Sequence, residues 1–369
     1  MGYAILGLVR KEFLTLFKDK RSRFVLVVPP FLQLLVFGYA GTFDLNQVPV
    51  AIYNEDTGSA GRELVARFTG TRAFREVGRI TRQDQIARVI DRKEALLVLH
   101  LGRDFSRDLA RRRPAQVQIV VDGRNSNTAM IALNYAETII AAFNRDYAAR
   151  QGLPEPPARL NVRAWFNPNL VSRWFIVPGI IGLLILVVTM LVTAMSVARE
   201  REQGTFDQLL VTPFTPLEIL IGKALPGFLV GLAESSLIVL VAVYWFRVPF
   251  VGEPGALYLG IVLFLLATVG VGVMISSLAA TQQQGMLGAF LFIVPSTILS
   301  GFATPIANMP ELVQELTRLI PLRYFLVIVR GVMLEGIPPA LLWDQYWPMG
   351  LIGLASLGLS AWLFRRRLY

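Results

Sequence analysis

The chain has 369 residues, 54% of them hydrophobic, and its mean hydropathy of +0.53 is too apolar for an ordinary soluble domain and calls for several membrane spans. The net charge of +10 fits anionic lipid and membrane topology better than nucleic acid, because no zinc, RNP or basic-zipper pattern accompanies it. No cysteine is present, which excludes disulfides, thiol chemistry and Cys-ligated metals.

Residues 1–23 form a basic amphipathic start. Ile5, Leu8, Val9, Phe13, Leu16 and Phe17 share one helical stripe, with Arg10, Lys11 and Lys18 off it, the pattern of a helix in the membrane interface. A signal peptide is the competing reading, since Gly38-Tyr39-Ala40 loosely fits a cleavage site. It is rejected because the apolar run starts only at Phe24 and is long enough to span. Residues 24–43 are the first span, with Pro29-Pro30 near its start. The preceding Arg10, Lys11, Lys18, Lys20, Arg21 and Arg23 place the N-terminus in the cytoplasm.

Residues 44–173 then form an extracytoplasmic domain. Long domains translocate whatever their charge, so its 20 Lys/Arg do not oppose that topology. Strand patterns at 48–53, 74–80, 95–101 and 117–121 alternate with helical patterns at 61–68, 82–91 and 125–150, which predicts a small α/β domain with a mixed sheet. Residues 153–158 read as a linker and 159–166 as a last strand. The single His100 sits in an apolar strand run and reads as a partly buried strand residue. Asn54-Glu55-Asp56 and Asp122-Gly123 are explained by turn chemistry better than by a cation site.

Residues 174–198 are the second span, heading in. The polar stretch 199–216 follows. Thr205-x-x-Gln208 has the capping-box pattern of a helix start, and Asp207 falls in the first turn, where the helix dipole favours a carboxylate. Phe206, Leu209 and Leu210 fall on one face of this short helix. Gly204 gives the backbone freedom to turn into it, and Pro213 ends it. Thr215-Pro216-x-Glu218 repeats the capping logic at the start of the third span, 217–246. That span carries Glu218, Lys223 and Glu234 as its only charges. Gly227, Gly231, Glu234 and Ser235 form one small and polar face. Glu234 therefore points into the bundle or the path between protomers, as a packing acid or as a contact to substrate or proton.

The fourth span is 257–279 and the fifth 285–303, joined by a tight inner loop, Thr281-Gln282-Gln283-Gln284. Residues 304–340 cannot span. The apolar run 322–334 has the length of a re-entrant or interfacial helix. The sixth span, 346–364, precedes Arg365-Arg366-Arg367, which places the C-terminus inside.

Two strings carry a family resemblance. E-R-E-x-G-T-F-D-Q-L-L-V-T-P followed by P-L-E-I-L-I-G-K looks like the cytoplasmic coupling segment of type-2 ABC exporter permeases. The second, P-L-R-Y-F-L-x-I-x-R-G-x-x-L-x-G at 321–336, is similar to their re-entrant segment. The phrases P-V-A-I-Y-N-E-D-T-G-S-A and V-V-D-G-R-N-S-N resemble the outer domain of the large-loop, multidrug-type branch. The likeness covers essentially the whole chain.

It implies a polytopic α-helical membrane protein with six spans, an N-terminal elbow helix, a re-entrant helix and an α/β domain inserted between spans 1 and 2. It also implies that Glu200, Glu202, Gly204, Thr205, Phe206, Asp207, Gln208, Leu209, Leu210 and Pro213 dock on an ATP-hydrolysing subunit. Pro321, Arg323, Tyr324, Arg330 and Gly331 belong to the re-entrant segment. ATP and magnesium are expected on that partner and no cofactor on this chain. Two ATPase subunits and a second permease chain, identical or not, would complete an exporter in the bacterial inner membrane. Gly270-x-Gly272 and Gly285-x-x-Gly288 are read as allowing close helix approach in such an assembly. A periplasmic adaptor and the substrate (drug, ion, lipid or polymer) are left open.

Gly222-Lys223 is followed by Ala within an apolar run, so it is not a phosphate loop, and nothing builds a nucleophile–base pair. The chain is therefore expected to do no chemistry itself. The second reading is a receptor or assembly factor that binds through the outer domain. Six spans and a loop shaped for docking favour the transporter.

Overall fold

The computed structural model describes residues 2–18, 20–40, 45, 47–152, 165–168, 171–205 and 215–368. In chain order these form α1 (Gly2–Lys18), α2 (Lys20–Ala40), β1 (Val48–Asn54), α3 (Ser59–Thr69), β2 (Phe74–Arg79), α4 (Asp84–Asp91), β3 (Leu97–Leu101), α5 (Phe105–Ala110), β4 (Val117–Val121) and α6 (Ser126–Arg150). The chain continues with α7 (Ser172–Ala194), α8 (Ser196–Glu202), α9 (Pro216–Leu240), α10 (Pro254–Leu278), α11 (Gln282–Leu299), α12 (Glu311–Leu316), α13 (Pro321–Arg330) and α14 (Trp343–Leu368). Two units result, Met1–Gly41 with Ala164–Tyr369, and Thr42–Arg163.

In the helical unit α7 is the hub. It is apolar all round, the composition of a helix enclosed on every side, and Val177, Ile180, Ile181, Leu184, Ile185 and Leu186 are fully buried. Helices α2, α9, α10, α11 and α13 pack around it. Small residues let the backbones approach. A Cβ on Gly227 or Gly231 of α9 would lie 2.4 Å from Thr193 Cγ2 or Thr189 Cγ2 of α7. Those threonines satisfy their own hydroxyls on the preceding turn, Thr193 Oγ1 donating to the Thr189 carbonyl at 2.6 Å.

The glycines read as points of close helix approach in a two-chain assembly are used within the chain. Gly270 meets Ser356 of α14, Gly272 meets Thr193, Gly285 meets the Ala194 carbonyl, and Gly288 meets Ile275. Among the described residues these four glycines therefore carry contacts inside the chain and lend no support to a second copy.

Ser172–Glu202, Leu217–Trp245 and Pro254–Leu278 are long and apolar enough to cross a membrane, and Val28–Tyr39 is a shorter apolar stretch, among the described residues. Helices α11 and α14 stand at the fifth and sixth predicted spans. The run at 322–334 is α13 plus a π-turn, Gly331–Glu335, and Leu322, Phe325, Ile328 and Val329 are buried in the helical core. A second π-turn, Val241–Trp245, closes α9. The sequence signalled neither, because widening to i→i+5 bonding leaves no fixed residue pattern.

The second unit is a four-stranded mixed sheet, order β2-β1-β3-β4. β1 pairs parallel with β2 and β3, and β3 pairs antiparallel with β4. Val50, Ile52, Leu97 and Leu99 pack with α3 and α6 on one face. Ala51, Tyr53 and Val98 pack with α4 on the other. Burial on both faces is why β1 reads as an unbroken apolar run. The alternation read from sequence is present, with α5 as an unforeseen sixth turn of structure. The predicted strand at 159–166 falls mostly outside the described residues.

Turn chemistry accounts for the acidic clusters. Asp56 accepts from Gly58 N at 3.2 Å and from Ser106 N at 3.2 Å and Ser106 Oγ at 2.5 Å. The Arg124 guanidinium clasps Asp122 and holds its carboxyl down to about 2. His100 lies between Gln118 Oε1, at 2.8 Å, and Glu55 Oε2, at 3.2 Å, and stacks on Tyr53.

Candidate coupling site

The predicted docking segment leaves the bundle through α8. The apolar run expected at 174–198 is broken at Met195, where α7 stops and α8 begins. Helix α8 carries Glu200, Arg201 and Glu202, and each is bound to a different element. The Glu200 carboxylate is buried, and its Oε1 receives Lys223 Nζ of α9 at 2.7 Å and Lys11 Nζ of α1 at 2.6 Å. Lys223 Nζ also pairs with Glu12 of α1. The Lys223 side chain is 2% exposed and Lys11 48%. Two lysines and two carboxylates thus neutralise one another at the meeting of three helices. Desolvation of such a group is repaid only when every charge has its partner.

Arg201 Nη1 donates to the Ser277 and Ala279 carbonyls at 2.8 and 3.2 Å, a cation on the carbonyl end of α10 where the dipole favours it. Glu202 Oε2 accepts from Gln282 N at 2.9 Å, an anion on the amino end of α11. Ser276 Oγ accepts from Val197 N and Ala198 N. The E-R-E triplet therefore fixes α8 to α1, α9, α10 and α11 at once.

Both borders of the loop are set by local chemistry. Gly204 is left-handed, φ +68°. Its N–H donates to the Arg201 carbonyl at 3.1 Å, and Thr205 N donates to the Glu200 carbonyl at 3.0 Å. That is a Schellman closure, so Gly204 ends α8; the short helix it was expected to lead into lies outside the described residues. Thr205 Oγ1 donates to the same Glu200 carbonyl. At the far border the predicted capping box is present, Thr215 Oγ1 accepting from Glu218 N and Glu218 Oε2 accepting from Thr215 N at 2.9 Å. Phe206, Asp207, Gln208, Leu209, Leu210 and Pro213 lie outside the described residues.

Helix α1 was expected to lie in the membrane interface. Its Leu8 and Val9 are buried, while Leu6, Leu14 and Phe17 are exposed, and Leu8 sits so close to α9 that a Cβ on Gly222 would be 2.9 Å from its Cβ. Sequence reasoning missed Glu12, used Lys11 only for topology, and noted Lys223 only as a charge in the third span and a failed phosphate loop. The available signal was an ionisable residue inside an apolar run, which demands a named partner.

Glu234 has both carboxylate oxygens buried without a hydrogen-bond partner among the described residues, on the helix whose Gly231 face packs on α7. Glu234→Gln is expected to leave assembly intact and to change the transport rate across pH 6 to 8. Equal ATPase and transport rates in reconstituted complex would leave only packing.

In the segment expected to be re-entrant, Pro321 is the first residue of α13. Arg323 binds the Gln314 carbonyl and Thr317 Oγ1, and Tyr324 OH donates to the Arg318 carbonyl at 2.8 Å. These two residues fasten α12 and the turn after it to α13. Gly331 opens the π-turn, against Ile337. Arg330 is placed apart from them, its guanidinium 4.0 Å from the Phe175 ring centre.

Residues 20–362 match the model of the ABC-2 family transporter proteins. The chain is 38% identical over 369 residues to the probable multidrug ABC transporter permease YbhR of Escherichia coli K12, covering 100% of each chain. It is 33% identical to the probable multidrug ABC transporter permease YbhS of the same strain, over 90% of this chain and 89% of the relative. With the inner membrane transport permease YhhJ it shares 28% identity over 98% and 97%.

Proposed function

The chain belongs to the ABC-2 family of transporter proteins and is a membrane permease, and from that premise we propose that it forms the translocation path of an ATP-driven exporter. In this reading the segment from Glu200 to Pro213 docks on a separate ATPase subunit, which carries ATP and magnesium. Two permease chains and two such ATPases make the complex, in the bacterial inner membrane. The cargo class is drug-like small molecules, by analogy with the multidrug names of YbhR and YbhS. The observation that carries the proposal is α8. The near border of the docking segment is tied to four helices and its far border is set by a capping box, so a push received between them would pass to the bundle.

The proposed topology has six crossings, with both termini and the docking loop in the cytoplasm and the α/β unit outside. It follows from the Lys/Arg flanks. The test is Met130→Cys, since Met130 is exposed on α6 and the native chain has no cysteine. An impermeant maleimide added to intact spheroplasts is expected to label it. Labelling only after the inner membrane is opened would invert the topology.

A further inference from the structure

Arg330 is a permanent cation whose Nε and Nη2 are buried with no hydrogen-bond partner among the described residues. Its guanidinium face rests on Phe175. Its Nη2 reaches α7 at Gly179, where a Cβ would lie 3.0 Å from it and 2.7 Å from the Phe302 ring. Two features show that this placement is built. Gly179 leaves α7 bare where the guanidinium and Phe302 meet it. The π-turn that begins directly after Arg330 is held from outside, Val251 N and Gly252 N donating to the Met333 and Val332 carbonyls at 3.1 and 2.9 Å. π-Turns inside helices recur at functional sites.

The carbonyl end of α13 favours a cation, and the Phe175 ring favours its face. Neither satisfies the N–H edge, which is the part of arginine shaped for a carboxylate or phosphate. Among the described residues no carboxylate pairs with it. In a bilayer water cannot substitute, and an intramembrane charge of this kind marks a ligand path by default.

We propose that Arg330, framed by Phe175 and Phe302, binds the anionic head of an amphiphile, a phosphate or carboxylate on an apolar body. Phe175 and Gly179 lie in the first two turns of α7, and Glu200 and Lys223 meet beyond its other end, so this site is remote from the coupling cluster. It rests on the transport reading only for its purpose. Binding is measured without ATPase or nucleotide, so failure here leaves the coupling proposal standing.

The test uses the full chain purified in neutral dodecyl maltoside, with dodecyl phosphate as probe and dodecyltrimethylammonium as control, bound molecules being counted by native mass spectrometry. Arg330→Gln is expected to weaken dodecyl phosphate binding about tenfold or more, the loss of one charge-assisted pair. Arg330→Lys keeps the charge but not the fork, and is expected to fall between. Phosphatidylglycerol that co-purifies with the native protein and is absent from Arg330→Gln would identify the head as a lipid's. Binding of added dodecyl phosphate alone would identify a free amphiphile. Either result supports the site. Equal dodecyl phosphate binding by the native chain and either variant would overturn it, as would equally tight binding of the cationic control.

Discussion

Lys223→Met is expected to destabilise the helical unit by about 3–5 kcal/mol, the usual consequence of leaving buried charge unpaired. Among the described residues Lys223 is the one cation that touches both buried carboxylates, Glu12 and Glu200. Methionine matches its length and apolar stem but leaves two anions facing each other, their side chains only 10% and 7% exposed. Glu200 retains Lys11, whereas Glu12 retains no ion pair among the described residues. The double variant Lys223→Met with Glu12→Gln removes one charge of each sign and is expected to recover most of the lost stability. The thermal midpoint of purified protein reads both effects. Equal loss in the single and double variants would show that packing of the lysine stem, not charge balance, is what matters. The single variant is also expected to uncouple transport, because α1 and α8 lose the ion that joins them to α9.

Local signals were legible where the cause lies within a few residues. The Thr215–Glu218 box and the Gly227–Gly231 face are short-range patterns, and both form as read. The alternation of the α/β unit was legible because burial on both faces of β1 forces an apolar run. What escaped depends on partners far apart in the chain. Glu12 and Lys223 meet across 211 positions, and nothing local in either marks the other. Glycine spacing showed that helices approach closely but not which ones. Gly272 and Gly285 therefore suggested a second chain, yet they pack on α7 of their own. Gly204 was read as giving the backbone freedom to turn, and it adopts a left-handed conformation, φ +68°. Its role in closing α8 depends on the hydrogen bonds from Gly204 and Thr205 back to Arg201 and Glu200.

Phe206→Ala with Leu209→Ala is expected to release the ATPase while leaving insertion and folding of the permease intact. By sequence pattern Phe206 and Leu209 fall on one apolar face of the stretch between α8 and α9, a face expected to lie beyond the bilayer. Each side chain buried in a partner contributes on the order of 1.5–3 kcal/mol, so losing both weakens attachment by about two to four orders of magnitude. The neighbouring Glu200, Arg201 and Glu202 bonds are untouched by the change, so α8 stays in place and any loss belongs to the docking face. The decisive measurement is the dissociation constant of the nucleotide-free ATPase subunit for the permease in nanodiscs, native chain against double variant. The account predicts a rise of about a hundredfold or more with an unchanged thermal midpoint of the permease. An unchanged dissociation constant would contradict it and would move the contact with the ATPase to another part of the chain.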